Sequence, residues 1–317
     1  MKERKTMDNK NRIFTNTFFV GISALFCCAL WGSATPFIKV GYELMMPEKD
    51  VASTILFAGI RFAFAGILTI IIYSIARKKF LYPQKRNLGK ISTVAAFQTV
   101  IQYLFFYIGL ANTSGVKGTI ISGSNAFFAI LISSLVFKME KLTLKKIIAC
   151  IIGFAGIVVV NLDGLDLRMN FTGDAFVLFS SISYAISSTL MKRYSKDEDP
   201  VIISGYQFVI GASFMIIVGL LLGGHITITS AKAVGVLTYL SLLSAIAYSL
   251  WGVLLKHNPV SKVSIYSFMI PVFGVILSKV MLSSENSNVS AINLIVTLVL
   301  VCIGIFMLNY TGKKETL

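Results

Sequence analysis

Arg61 stands inside an apolar stretch that runs from about Val51 to Ala76. If the stretch is helical, its guanidinium lies about 15 Å from the end, near the middle of a bilayer. A charge there costs at least about 2.5 kcal/mol even on the mildest insertion scales, and arginine does not escape by losing its proton. Two roles stay open: attracting a carboxylate or phosphate, or bonding backbone carbonyls between helices. Neutral polar side chains recur in other apolar stretches. Gln98 and Gln102 share one helix face at i, i+4, with Thr99, Tyr103 and Tyr107 as a neighbouring stripe. Trp31, Asn125, Tyr184, Ser244, Tyr248 and Ser267 extend the set. Rings, amides and hydroxyls of this kind hold a solute by stacking and hydrogen bonding, and Trp31, Arg61, Gln102, Tyr103, Asn125, Tyr184, Tyr248 and Ser267 are the candidate substrate-binding residues.

Catalytic chemistry has no matching constellation. All fourteen acidic residues fall in tails, loops or ends of apolar stretches. His225 and His257 are far in sequence from Cys27, Cys28, Cys150 and Cys302, which sit inside apolar stretches as packing residues. With no nucleophile–base pair, phosphate loop or metal-ligand spacing, the sequence predicts neither an enzyme nor a cofactor or metal site. A titrating carboxylate or histidine in the middle of a span is the usual mark of proton coupling. Its absence points to facilitated or exchange transport.

The elements that must position these residues are membrane helices. Charge-free runs cover 13–38, 62–76, 91–116, 118–137, 147–162, 175–191, 200–231, 233–255, 263–278 and 286–312. A span needs roughly 17–25 apolar residues, and the second run reaches that length by extending back through Arg61. Ten helices are predicted, in an all-α membrane protein, and with 56% hydrophobic residues in 317 the chain leaves little for a soluble domain. The basic run before Ile13 resembles a secretory signal, but the following apolar run exceeds the roughly 7–15 residues of such a signal. It is expected to stay as the first span.

The net charge of +15 is segregated along the chain. Of the 29 Lys and Arg residues, 22 lie in the N-terminal tail, 77–90, 138–146, 192–196, 256–262 and 313–314, against four, Lys49, Lys117, Arg168 and Lys232, in the alternate loops. The positive-inside rule then puts both termini in the cytoplasm. No basic stripe alternates with aromatic residues on a soluble surface, so nucleic acid is not an expected partner. The bilayer and a small solute are. Oligomeric state is left open, and a monomer suffices. Lys39 and Lys279, near the outer ends of their spans, are expected to snorkel to the headgroups.

The second half of the chain repeats the first. At an offset of 145, residues 103–140 overlie 248–285 with Tyr103/Tyr248, Lys117/Lys262, Ile120/Ile265, Ser122/Ser267, Phe128/Phe273, Ser133/Ser278 and Glu140/Glu285 identical. Gly156–Asn161 overlies Gly304–Asn309 at 148, Gly59/Gly205 and Phe62/Phe208 match at 146, and Lys39/Lys192 at 153. Five helices per unit make the second unit enter from the opposite side. An inverted repeat of this kind is the architecture of secondary transporters, and a channel does not need it.

The stretch Ala29-Leu30-Trp31-Gly32-Ser33-Ala34-Thr35-Pro36-Phe37-Ile38-Lys39, and Lys138-Met139-Glu140-Lys141-Leu142-Thr143 leading into Gly153-Phe154-Ala155-Gly156, resemble the signatures of EamA-type transporters of the drug/metabolite transporter superfamily. The resemblance covers about residues 17–310 and implies ten helices in two EamA repeats, a cavity among helices 1, 3, 4, 6, 8 and 9, and export of amino acids, metabolites or toxic compounds. This chain departs from the pattern where Ala126 pairs with Pro271, and where Lys138-Met139-Glu140 and Ser283-Ser284-Glu285 replace the usual small-residue-Gly-Glu. The expected organisation is a tail 1–16, a first repeat 17–161, a second repeat 172–310 and a tail 311–317. The expected function is export of a small amphipathic metabolite such as an amino acid across the plasma or inner membrane by alternating access. The alternative is a multidrug exporter of the same superfamily. Glu140 and Glu285 are read as local charge partners or caps, with Lys141 and Lys145 near the first, and Gly153, Gly156 and Gly304 as close helix contacts.

Overall fold

The computed structural model describes residues 13–46, 50–113, 115–162, 170–281 and 290–310. Residues 1–12 of the first predicted tail, the whole second tail, Lys49, the loop containing Arg168, and Glu285 lie outside these residues, as does the side chain of Lys279.

The described chain is helical without strands. Nine helices are long and apolar enough to cross a membrane: α1 (Thr17–Met45), α2 (Val51–Ala76), α3 (Lys85–Ala111), α4 (Lys117–Val136), α6 (Phe171–Tyr194), α7 (Pro200–Leu221), α8 (Ala231–His257), α9 (Val260–Ser278) and α10 (Ile292–Asn309). A further apolar helix, α5 (Leu144–Val160), has 17 residues. Hydrocarbon offers backbone groups no hydrogen bonds, so each helix must close its own. The first turns are closed by polar side chains at the ends. Asn16, Asp50, Thr143, Asp199 and Ser230 each accept from a backbone N–H one to three residues into the helix that follows.

Exposed large side chains such as Phe18, Ile75, Ile151, Leu221, Ile295 and Phe306 form the outer surface, which is the surface lipid solvates best. Inside, small residues set the helix distances. A Cβ on Gly66 of α2 would lie 2.7 Å from the Gly205 carbonyl of α7, and one on Gly304 of α10 would lie 2.7 Å from the Ala149 carbonyl of α5. Gly153 faces the Phe268 ring, 2.5 Å from such a Cβ, and Gly156 lies against α10. All three glycines singled out in the sequence thus stand at close helix approaches.

The packing partners repeat along with the sequence. Helix α1 packs on α8 and α9, and α6 packs on α3 and α4. Helix α2 touches α8, and α7 touches α3. The pairs α2–α7, α4–α9 and α5–α10 join helices at equivalent positions of the two halves. Each contact therefore has a counterpart when the halves are exchanged.

Helix α4 bends without a proline. Its regular turns stop at Gly123 and restart at Asn125, and between them the Ile121 carbonyl accepts from both the N–H and the Oγ of Ser124. In α9 the same level is a tight turn at Ile265–Phe268, just ahead of Pro271. Pro271 cannot donate a backbone bond; in α4 the serine hydroxyl competes for a carbonyl and gives a break at the matching place. Three segments of wider helical turn, Ala96–Ile101 in α3, Ile132–Val136 at the end of α4 and Phe171–Ala175 at the start of α6, also depart from regular geometry. Such turns concentrate at functional sites.

Candidate functional site

Helices α1, α2, α3, α7 and α8 bring four of the predicted residues into one cluster. Arg61, 3% exposed, donates from Nη2 to Ser244 Oγ at 3.0 Å, and Ser241 Oγ donates to the Arg61 carbonyl at 3.1 Å. One turn beyond Ser244, the Tyr248 hydroxyl meets that of Tyr103 at 2.8 Å. Trp31 packs edge-on against Tyr248 and Trp251, with centroids 5.1 and 5.0 Å apart. Phe62 stacks on Phe208 at 5.1 Å and packs on Tyr103 at 4.5 Å.

Four tyrosines, Tyr42, Tyr103, Tyr107 and Tyr248, lie within electrostatic range of Arg61. Among the described residues no carboxylate forms an ion pair with Arg61. Its Nε is buried without a hydrogen-bond partner. An unneutralised charge in a low-dielectric interior strongly favours any anion that can reach it.

The other predicted residues are placed differently. Tyr184 on α6 is buried near Tyr103 and Tyr248, and its hydroxyl approaches Ser188 without closing a hydrogen bond. Gln102, beside Tyr103, is buried with Oε1 unpartnered. Asn125 stands at the break in α4, its Oδ1 also buried and unpartnered. Ser267 stands at the break in α9, and its hydroxyl is committed to the Ser264 carbonyl at 2.6 Å. No hydrogen bond joins Asn125 or Ser267 to the Arg61 cluster among the described residues. Lys39 is exposed.

One residue that bears on the site was not singled out by its type. Gln207 on α7 is fully buried and accepts from Thr99 Oγ1 at 2.6 Å. The signal was available: the offset of 146 that pairs Phe62 with Phe208 also pairs Arg61 with Gln207, and 145 pairs Thr99 with Ser244.

Polar clusters close both ends of the helices. At the end carrying the basic loops, Glu140 accepts from Ser133 Oγ, the Ser261 N–H, Ser261 Oγ, and Lys146 Nζ at 2.6 Å. Its ion-pair partner is thus Lys146, not Lys141 or Lys145; Lys145 instead reaches the Tyr310 carbonyl. Lys146 lies inside the first turn of α5, which returns over Glu140, while Lys141 precedes that turn. Burial pushes the Glu140 carboxyl up, but the hydrogen bonds from Lys146 and Ser261 outweigh it and hold the group below the usual glutamate range. At the opposite end Asp174 pairs with Lys117 at 2.7 Å and accepts from Thr113 at 2.5 Å.

Tyrosines, buried amides and one buried cation thus cluster where helices of the two repeated halves meet. The family comparison agrees: the model of the EamA-like transporter family matches twice, over residues 19–162 and 171–310. The chain belongs to that family, within the drug/metabolite transporter superfamily.

Individual proteins are similar as well. The chain is 24% identical over 294 residues to Uncharacterized transporter YvbV of Bacillus subtilis (strain 168), covering 92% of this chain and 91% of the relative. It is 26% identical over 314 residues to an uncharacterized transporter of Methanothermobacter thermautotrophicus, covering 95% and 86%. A WAT1-related chloroplastic protein of Arabidopsis thaliana is 23% identical over 222 residues, 67% of this chain and 52% of that one. A solved crystal structure matches with a TM-score of 0.74 at 15% identity, over 92% of this chain and 99% of that chain, a likeness of fold.

Proposed function

We propose that this protein is a secondary transporter that exports a small amphipathic metabolite, such as an amino acid, across the plasma or inner membrane by alternating access. The observation that carries the reading is the Arg61–Ser244 and Tyr103–Tyr248 cluster, which lies where helices of the two repeats meet. In this reading α5 crosses the bilayer as the tenth span, 17 residues being at the short end of the usual range. The repeats, 17–161 and 172–310, are inverted and related by a pseudo-two-fold axis in the membrane plane. The matched helix pairings of the two halves support that relation. Both termini are cytoplasmic, supported by the segregation of basic residues. Trp31, Gln102, Tyr103, Tyr184 and Tyr248 contact the solute, Arg61 orients it, and Asn125 and Ser267 belong to helix breaks that move with it. Among the described residues no carboxylate belongs to the cluster, so the solute gradient alone suffices as driving force. A lipophilic-cation exporter, the alternative within the superfamily, is disfavoured by the buried guanidinium.

The test is counterflow in proteoliposomes loaded with unlabelled amino acids, using labelled phenylalanine outside and equal pH on both sides. Accumulation of label that is weakened by Tyr103→Ala supports the reading. Uptake that requires a proton gradient and collapses with an ionophore overturns the coupling, and no counterflow with any loaded amino acid overturns the amino-acid cargo.

A further inference from the structure

We propose that the site selects a solute bearing a single carboxylate-type negative charge, with Arg61 as its anchor and Gln207 as the neutral counterpart that limits the site to one positive charge. This rests on the transporter reading above and names its substrate class.

The argument starts from register. Arg61 and Gln207 occupy the same position in the two halves, and so do Ser244 and Thr99. Arg61 bonds Ser244 at 3.0 Å, and Gln207 bonds Thr99 at 2.6 Å. The same helix-to-helix contact is therefore made twice, once between α2 and α8 and once between α7 and α3. Phe62 and Phe208, the next residues along, stack on each other with ring planes 7° from parallel. The two polar contacts thus flank one shared centre.

The halves differ in charge and in the sense of the bond: Arg61 donates to Ser244, whereas Gln207 accepts from Thr99. Each keeps one buried donor without a partner, Arg61 Nε in the first and Gln207 Nε2 in the second. Both residues are almost fully buried, at 3% and 0% exposure. A carboxylate is acceptor-only, with about four lone-pair positions on two oxygens, and so complements a guanidinium, an amide N–H and tyrosine hydroxyls together. A charge-assisted bond to the guanidinium is the strongest of these. An ammonium solute would meet an uncompensated like charge in a medium that screens little. A second arginine at 207 would make the centre doubly positive; glutamine keeps the geometry of a long polar side chain without the charge.

The experiment uses the full chain, purified in detergent, and follows thermal unfolding against four probes with the same ring: phenylacetate, phenylmalonate, 2-phenylethanol and 2-phenylethylammonium. Phenylacetate is expected to stabilise the protein, and the alcohol and the amine are not. Arg61→Gln should lower the apparent phenylacetate affinity at least about tenfold, the loss of one charge-assisted bond, and Arg61→Lys should retain part of it. The double variant Arg61→Gln/Gln207→Arg should recover it, because the guanidinium then occupies the equivalent position beside Thr99. Gln207→Arg alone should shift preference towards the dianion phenylmalonate. Size-exclusion profiles and unliganded unfolding temperatures establish that each variant is folded, and Arg61→Lys carries the test if Arg61→Gln does not fold. Equal stabilisation by the amine or the alcohol, no response to phenylacetate, or an exchanged variant that stays unresponsive would overturn the proposal. The two readings fail separately: flux of the amine but not the acid in proteoliposomes ends this proposal and leaves a transporter, whereas phenylacetate binding without flux leaves the anion site and ends the transporter.

Discussion

The hydroxyls of Tyr103 and Tyr248 meet at 2.8 Å, although the residues are 145 positions apart and occupy the same place in the two repeats. Here a side chain of one repeat touches its own counterpart in the other. Phe62 and Phe208 do the same at 5.1 Å between ring centroids. The aromatic centre of the protein is therefore also where its two halves are held together.

That relationship gives the first prediction. Tyr103→Phe and Tyr248→Phe each remove the same hydrogen bond, worth about 1 kcal/mol. The single variants should lower the unfolding temperature by similar amounts, and the double variant should fall no further than either. Additive losses in a double-mutant cycle would mean that the two hydroxyls do not depend on each other.

Helix approach supplies the second. Gly66→Ala brings a methyl to 2.7 Å from the Gly205 carbonyl, where neither backbone can yield, while Gly89→Ala meets nothing within 4 Å. Gly66→Ala should cost about 1–3 kcal/mol by overpacking. Gly89→Ala, in a helical turn, should be neutral or slightly stabilising. Comparable unfolding temperatures for the two variants would refute the close α2–α7 crossing.

Glu140 makes stability depend on pH. Its folded carboxyl titrates below the ordinary range despite its burial, because Lys146 and Ser261 bond the charged form. A depressed folded value means that the contribution is fully present above the unfolded glutamate pKa of about 4.3. It is lost as pH falls through the lowered folded value. Glu140→Gln should therefore unfold at a lower temperature than wild type at pH 7, by about 1–3 kcal/mol of stability, with the gap closing below about pH 4. A gap independent of pH would rule out the ionised carboxylate as its source.

The buried pair of Lys117 and Asp174 predicts a particular order of stabilities. Asp174→Asn removes the carboxylate that pairs with the Lys117 ammonium, whose side chain is only 12% exposed. Losing the hydrogen-bonded carboxylate should cost about 1–3 kcal/mol. Adding Lys117→Met to Asp174→Asn should restore part of the loss. If the double variant is less stable than Asp174→Asn alone, the lysine makes favourable contacts that do not need the acid.

Orientation can be read by labelling. In a Cys302→Ser background the other cysteines are buried. Cysteine at Thr227, exposed between α7 and α8, should react with an impermeant thiol reagent added to intact cells. Cysteine at Tyr82, exposed in a basic loop, should react only after permeabilisation. The reverse pattern would invert the topology.

Much of this was written in the linear sequence because the bilayer is a demanding solvent. Apolar length, the repeat offsets and the signature stretches around Trp31 and Glu140 are properties of consecutive residues, and they were enough to identify membrane helices, the EamA family and the polar side chains worth watching. Tertiary structure decided which of those side chains meet. Asn125 and Ser267 are as polar as Tyr103, yet they belong to helix breaks, whereas Gln207, inconspicuous in sequence, meets Thr99 at the position where Arg61 meets Ser244. It also decided that Glu140 answers to Lys146 and to Ser261, 121 residues away, and that α4 bends without proline. The physical reason is the same in each case. Hydropathy is local and additive along the chain, while hydrogen bonds and helix approaches depend on crossing geometry, which no single segment contains.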